Sequence, residues 1–483
     1  MRRAAAVLAA LAAIFGALFV SHFPFLRLPF YWDELGQFVP AALDIYNRGA
    51  WVPYTTIPNV HPPGVMAYLA SLWRCFGYSI LATRAAMLVL AAAGLLITWH
   101  LTRRLTGRRG VAWLASLFLF CSPLFFSQSM MAQLDMPAMT LTALAFLLFF
   151  GERYVLCALV CVLAVIAKET AILIPALFGF LLLRRGSRSA FWFVLPLIPL
   201  LFWLAVIKRS TGHWFGDPAF TQYNLFYPLH PVRLTLALLR RSYYLLVGSG
   251  HAIGAIALYV LLHRRRWRLP WEWQVIGAFA LLHVVLITVL GGAVLERYLL
   301  PVLPFLYAVF AWALLEIRGR VGRLLATALT ACLLTACVVN PPYPFPMENN
   351  LAWTTFVTLH REVAQFAEAA IPNANIATSF PLAGALRRPE MGYVSRPLRV
   401  LEISDFREAT LAGEVRNKAD ALIEFQTFWD PKGLLQNPTW IALLKRFYGY
   451  VPQVPPSEVP RVTGMRSLLR TCAAGQCVEV FRK

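Results

Sequence analysis

Charge is what this sequence has least of. Only 14% of its 483 residues are charged, while 59% are hydrophobic. That balance excludes a soluble globular protein and predicts an α-helical, polytopic membrane protein. Acids are scarcer than bases, which leaves a formal net charge of +21. The arginines nevertheless stand in short blocks between apolar runs, as the positive-inside rule expects, so no nucleic-acid partner is expected. The 8 cysteines are mostly scattered in or beside apolar runs, where cysteine acts as a small hydrophobe. Cys472 and Cys477 alone are close enough to suggest a short-loop disulfide in an oxidising compartment, and two thiols are too few for a zinc site. An internal repeat of the kind that marks many transporters is also missing.

Long apolar runs are abundant. They occur at about 4–22, 79–101, 110–127, 134–150, 154–167, 170–184, 190–207, 242–262, 273–291, 298–316 and 321–339, which makes roughly eleven transmembrane helices. Arg103-Arg104, Arg108-Arg109, Arg184-Arg185-Arg188, Arg264-Arg265-Arg266-Arg268 and Arg318-Arg320-Arg323 fall on one side when the spans alternate. Arg2-Arg3 join them, so that side is read as cytoplasmic, in a bacterial inner membrane. No small-residue cleavage site precedes His22-Phe23-Pro24, and the first run is read as an uncleaved helix. An odd number of spans then puts the remainder outside, in the periplasm.

Residues 1–339 are accordingly read as a membrane domain and 340–483 as an extracytoplasmic domain. Asn340-Pro341-Pro342-Tyr343-Pro344-Phe345-Pro346 forms a rigid exit from the membrane. Beyond it, short strands are expected at Asn375 to Ser379, Ala421 to Phe425 and Val478 to Phe481, with a helix over 352–370, giving a small α/β domain. The first outer loop, about 23–78, is long. It is expected to hold two interfacial helices, Gly36 to Arg48 and Val65 to Phe76, around a stiff corner at His61-Pro62-Pro63-Gly64.

Only ten acids lie in residues 1–339: Asp33, Glu34, Asp44, Asp135, Glu152, Glu169, Asp217, Glu272, Glu296 and Glu316. On the topology above, seven of them are outer and only Glu152, Glu272 and Glu316 inner. Both lysines of this region, Lys168 and Lys208, are outer too. Ionisable groups other than the inner arginines therefore gather at one membrane surface, which places a site there. A secondary transporter would instead place them near the bilayer middle.

Several of these residues admit two readings. Asp33-Glu34, directly after the aromatic run Phe30-Tyr31-Trp32, either solvate a loop and cap a surface helix or supply a general base near low dielectric. Asp135 either caps a helix before Pro137 or holds the acceptor, the base or a cation. Lys168 and Glu169 either neutralise each other or leave Lys168 for a phosphate. Arg297, next to Tyr298, either snorkels to the interface or clamps a phosphate with its fork. His61 is a corner histidine, a phosphate donor or a metal ligand. His213, Asp217 and His230 share another outer loop, and His213 with Asp217 are the candidates for a divalent-cation site.

Five short motifs follow one another along the membrane region. They are Asp33-Glu34 after the first span, His61-Pro62-Pro63-Gly64, Leu134-Asp135-Met136-Pro137, Ala167-Lys168-Glu169 followed by Pro175, and Arg297-Tyr298-Leu299-Leu300-Pro301. Each is weak alone, but the ordered set resembles the membrane glycosyltransferases of the GT-C superfamily. It resembles in particular the branch shared by protein O-mannosyltransferases and the aminoarabinose transferase of lipid A. Many relatives carry Gly-Pro where this chain has Glu169-Thr170. The resemblance implies an inverting hexosyl- or pentosyltransferase. It would take sugar from a polyprenyl-phosphate donor among membrane lipids and pass it to a lipid A, glycan or protein hydroxyl. It also implies Asp33 as base, Asp135 as the second-loop acid, and Lys168 and Arg297 as neutralisers of the carrier phosphate. No cofactor is certain, and a divalent cation stays open. The alternative is a polytopic transporter of a lipid-linked or small substrate.

Overall fold

The computed structural model describes residues 2–317, 319–426, 430–431 and 433–483, and Arg318 of the last arginine block lies outside them. It divides into two compact units. One comprises residues 1–23, 41–78 and 82–339, the other 24–40, 79–81 and 340–483. The division passes through the helix Val39–Arg48.

The first unit is helical, and each apolar run of the sequence forms helix. Among the described residues six helices are long and apolar enough to cross a membrane: Ala4–Phe25, Ile80–Thr106, Arg188–Thr211, Pro231–Arg264, Trp271–Val289 and Glu296–Glu316. Shorter apolar helices cover Arg109–Cys121, Asp135–Phe150 and Tyr154–Ala167. The chain is a multi-pass membrane protein. Some runs break for local reasons. Ser122 is extended and Pro123 opens the next helix, where its missing N–H costs nothing, so 110–127 splits into Arg109–Cys121 and Pro123–Gln128. At Gly248–Gly250 the chain turns sharply through Ser249, at φ +55°, between Pro231–Leu246 and His251–Arg264.

Packing inside this unit is largely aromatic. Phe146 lies within 5.0 Å, centroid to centroid, of Phe178, Phe279 and Phe305, contributed by three other helices. Phe149 stacks on Phe178 at 3.9 Å. The arginine-bearing ends meet as well: Glu316 pairs with Arg108 at 2.9 Å and Arg265 at 3.7 Å, so these three loops share one side of the bundle.

The second unit holds a sheet of β1 (Ile376–Ser379), β2 (Val400–Ile403), β3 (Ala421–Phe425), β4 (Arg466–Ala473) and β5 (Gln476–Arg482), in the order β2-β1-β3-β5-β4. β1 runs parallel to β2 and β3, and β5 is antiparallel to both β3 and β4. β1, β3 and β5 match the strands expected from the sequence. β2 and β4 are edge strands: β4 is largely exposed, and β2 has only four residues, mostly half-buried, so no hydrophobic alternation marked them in advance. The β4–β5 hairpin turns at Ala474-Gly475, both at positive φ, as a two-residue hairpin turn requires. Cys472 and Cys477 sit opposite each other beside that turn and form a disulfide.

Helix Ala352–Ala370 covers the sheet with Trp353, Phe356, Val357, His360, Val363, Ala364 and Ala367, the stripe of a helix with one buried face. Central strand β3 is buried throughout, including Glu424. That carboxyl faces Glu479 across the β3–β5 register, and its Oε2 has no hydrogen-bond partner. Burial, with Glu479 adding repulsion, pushes the Glu424 carboxyl up to about 8.

A raised folded pKa means that the folded state holds a proton the unfolded chain would release. The resulting stability is full below the ordinary carboxylate range and is lost as pH rises through about 8. Thermal unfolding of the full-length protein in detergent between pH 5 and 9 measures this. The wild type should lose more stability across that interval than Glu424→Gln, and parallel pH profiles would refute a protonated Glu424.

Candidate functional site

Three charged side chains from three distant segments converge in the membrane unit. Asp135 begins the helix Asp135–Phe150, but its carboxylate caps nothing. It accepts a short hydrogen bond from the Lys168 ammonium and lies 3.4 Å from Nε of Arg297. The capping role considered for Asp135 is thus not realised. All three residues are buried, at 2%, 7% and 3% exposure, where ions persist only when paired.

Local structure explains each position. Lys168 is extended, at φ −155° and ψ 125°, where helix Tyr154–Ala167 ends and the 3₁₀ turn Glu169–Ile172 begins. The chain thus breaks here where apolar residues give way to charge. Arg297 belongs to a second 3₁₀ segment, Glu296–Val302, with Pro301 inside it. Its Nη1 donates to Oε1 of Gln133 at 2.5 Å. Tyr298 lies beside both cations: Lys168 Nζ sits 4.3 Å and Arg297 Cζ 5.5 Å from its ring centroid, within cation–π range. His283 fixes this turn by donating from Nε2 to the Tyr298 carbonyl at 2.8 Å.

Lys168 and Glu169 take different ion partners. Glu169 pairs with Nδ1 of His61 at 2.9 Å. Burial pushes the Glu169 carboxyl up, but His61, with Lys168 adding to it, outweighs this and holds it down at about 2. The corner His61-Pro62-Pro63-Gly64 is seated by its glycine, since a Cβ on Gly64 would overlap the carbonyl group of Ile166. Gly64 thus allows the close approach that brings His61 to Glu169.

His213 and Asp217 do not come together as cation ligands. The Asp217 carboxylate caps the turn Pro218–Thr221 by accepting from Phe220 N at 2.9 Å, and His213 is exposed. Among the described residues, no three His, Cys, Asp or Glu side chains form a group fit for a metal ion. His230 accepts from Val232 N and caps the helix Pro231–Leu246. Phe220 meets the His61 ring edge-on at 5.6 Å, so this loop does reach the His61 corner, through an aromatic contact.

Asp33 and Glu34 belong to the second unit. Glu34 is fully buried and its Oε2 accepts from Tyr31 N at 3.0 Å. Asp33 is half-buried and precedes the turn Glu34–Phe38. Sequence reasoning missed Gln133, His283 and the pair Arg240–Glu296, joined at 2.5 Å. A glutamine two residues before Asp135, and a histidine inside an otherwise apolar helix, were the available signals.

No protein-family model matches the sequence, and no curated protein does. Solved structures do resemble it. The structure of ArnT from Cupriavidus metallidurans bound to undecaprenyl phosphate is 16% identical, covering 99% of this chain and 97% of that one, with a TM-score of 0.57. The apo state of the same protein gives 16% identity, coverage of 99% and 98%, and a TM-score of 0.56. The arabinofuranosyltransferase AftD from mycobacteria is 14% identical over 100% of this chain and 40% of its own, with a TM-score of 0.47.

Asp135→Ala removes the carboxylate that two buried cations share and should destabilise the fold by about 3–5 kcal/mol. The melting temperature of purified protein in detergent reads this, and an unchanged value would mean that Lys168 and Arg297 do not depend on Asp135. The agreement with ArnT over nearly the whole of both chains establishes that this chain has an ArnT-like fold.

Proposed function

We propose that the protein is an inverting glycosyltransferase that moves a sugar from a polyprenyl-phosphate donor to a hydroxyl acceptor at the outer face of the bacterial inner membrane. The observation that carries this reading is the convergence of Lys168, Arg297 and Asp135 in one buried cluster. The fold it shares with a protein solved with undecaprenyl phosphate bound supports it.

A lipid-linked donor brings its phosphate to the interface while its tail stays in hydrocarbon. The leaving group is a phosphate that is already ionised, so no general acid is required. What the reaction needs is cationic charge to balance the phosphate as the sugar–oxygen bond breaks, and a base for the acceptor. Lys168 and Arg297 supply the charge, Lys168 as a point charge and Arg297 as a planar fork. Asp135 holds both cations in place until the phosphate arrives. Tyr298 and His61 complete the donor side, His61 with its Nδ1 committed to Glu169.

Asp33 is the base in this reading. It takes the acceptor hydroxyl proton as the oxygen attacks the anomeric carbon from the face opposite the phosphate. One C–O bond forms, the anomeric C–O bond to phosphate breaks, and the polyprenyl phosphate leaves with the electron pair. Glu34, buried and bonded to Tyr31 N, supports the turn that carries Asp33. The C-terminal domain is then periplasmic, and the acceptor is a lipid, glycan or protein hydroxyl.

Purified protein incubated with radiolabelled polyprenyl-phosphate sugars tests the assignment. Asp33→Asn should lower transfer by about 100- to 10,000-fold while still binding the lipid. Lys168→Ala and Arg297→Ala should weaken donor binding as well as turnover. Full activity in Asp33→Asn would overturn Asp33 as base. An arm with EDTA separates side-chain charge from a divalent cation, and unchanged transfer is expected there.

A further inference from the structure

The residue just before the acid pair is held in a conformation it would not choose. Trp32 lies at φ +46°, the left-handed region, which bulky side chains strongly disfavour. Such a residue persists only where its surroundings over-determine it.

Here the surroundings are the second unit's own aromatic face. The Trp32 ring meets Phe380 edge-on at 5.3 Å and Phe356 at 6.1 Å. Tyr31 is buried against Phe356 at 5.5 Å and Trp353 at 6.1 Å. One residue back, Phe30 N donates to the Met391 carbonyl at 3.3 Å, and the Phe30 carbonyl accepts from the Tyr393 hydroxyl at 2.9 Å. Beyond the acids, Gly36 lies against the edge of the Phe380 ring, where a Cβ would overlap its atoms. Gly36 N also returns to the Trp32 carbonyl at 2.8 Å. Asp33 and Glu34 are thus bracketed by two residues that Phe380 touches.

Phe380 has a telling place in the sheet. It directly follows β1, which lies between β2 and β3, so the chain goes from β1 to β2 on one side and then crosses to β3 on the other. In an open α/β sheet the carboxyl ends of strands at such a switch point hold the ligand. Here the chain's own segment around Trp32–Gly36 packs on Phe380, the residue just past the carboxyl end of β1.

We propose that the C-terminal domain positions the Asp33–Glu34 acid pair, with Phe380 and Trp32 as positioning residues that fix where the base points. This rests on the reading of Asp33 as base. Phe380 touches the residues on either side of Asp33 and acts only through it.

Transfer kinetics of the full-length protein test it with Phe380→Ala, Phe380→Tyr, Trp32→Gly, Asp33→Asn and the double variant Phe380→Ala/Asp33→Asn. Phe380→Ala should lower kcat by up to about 100-fold with KM for the lipid donor unchanged, and Phe380→Tyr should restore most of it. Trp32→Gly removes the ring that meets Phe380, so it should lose kcat as well. The double variant should transfer no more slowly than Asp33→Asn alone, because residues that act as a unit are not additive. The proposal is overturned if Phe380→Ala keeps wild-type kcat, or if its loss multiplies with that of Asp33→Asn. If Asp33→Asn itself is fully active, the base assignment fails first and the positioning claim fails with it.

Discussion

Burying Asp135 with Lys168 and Arg297 is the constraint on which the membrane unit depends. Each ion would be strongly unfavourable alone in an apolar interior. Together they can be buried only if three chain breaks coincide: the start of Asp135–Phe150, the extended residue between Tyr154–Ala167 and Glu169–Ile172, and the 3₁₀ turn Glu296–Val302. The helices are therefore interrupted where the charges are. Tyr298, Gln133 and His283 hold the geometry by cation–π contact and hydrogen bonds. The His61–Glu169 pair ties the first loop to the same break through the glycine corner.

A second constraint operates on the acid pair. Residues 24–40 are grouped with the C-terminal residues and not with the helices that follow them. Aromatic packing on Trp353, Phe356 and Phe380, with backbone hydrogen bonds at Phe30, holds the segment. The ionic cluster and the acid pair thus belong to different units.

Much of this was legible in the sequence. The apolar runs marked the helices, because a chain that crosses hydrocarbon must satisfy its backbone internally and show apolar side chains over that length. The strands Ile376–Ser379 and Ala421–Phe425 and the helix Ala352–Ala370 were legible because each buries a face. The edge strands Val400–Ile403 and Arg466–Ala473 were not, since the first is short and half-buried and the second largely exposed, and neither leaves a pattern. Scarcity drew attention to Asp135 and Lys168, since acids and lysines are few in so apolar a region, and these two residues do meet.

By itself, then, the sequence determined which residues are expensive to bury and so which ones need partners, because that follows from residue type and surrounding hydropathy. Only the tertiary structure decided the partners. Lys168 reaches back to Asp135 rather than pairing with its neighbour Glu169, and Glu169 takes His61 instead. Asp217, apt for a cation by composition, spends its carboxylate on a helix cap. Pairing depends on where helix ends meet in space, and contacts between Gln133 and Arg297 or Trp32 and Phe380 span separations that no local pattern encodes.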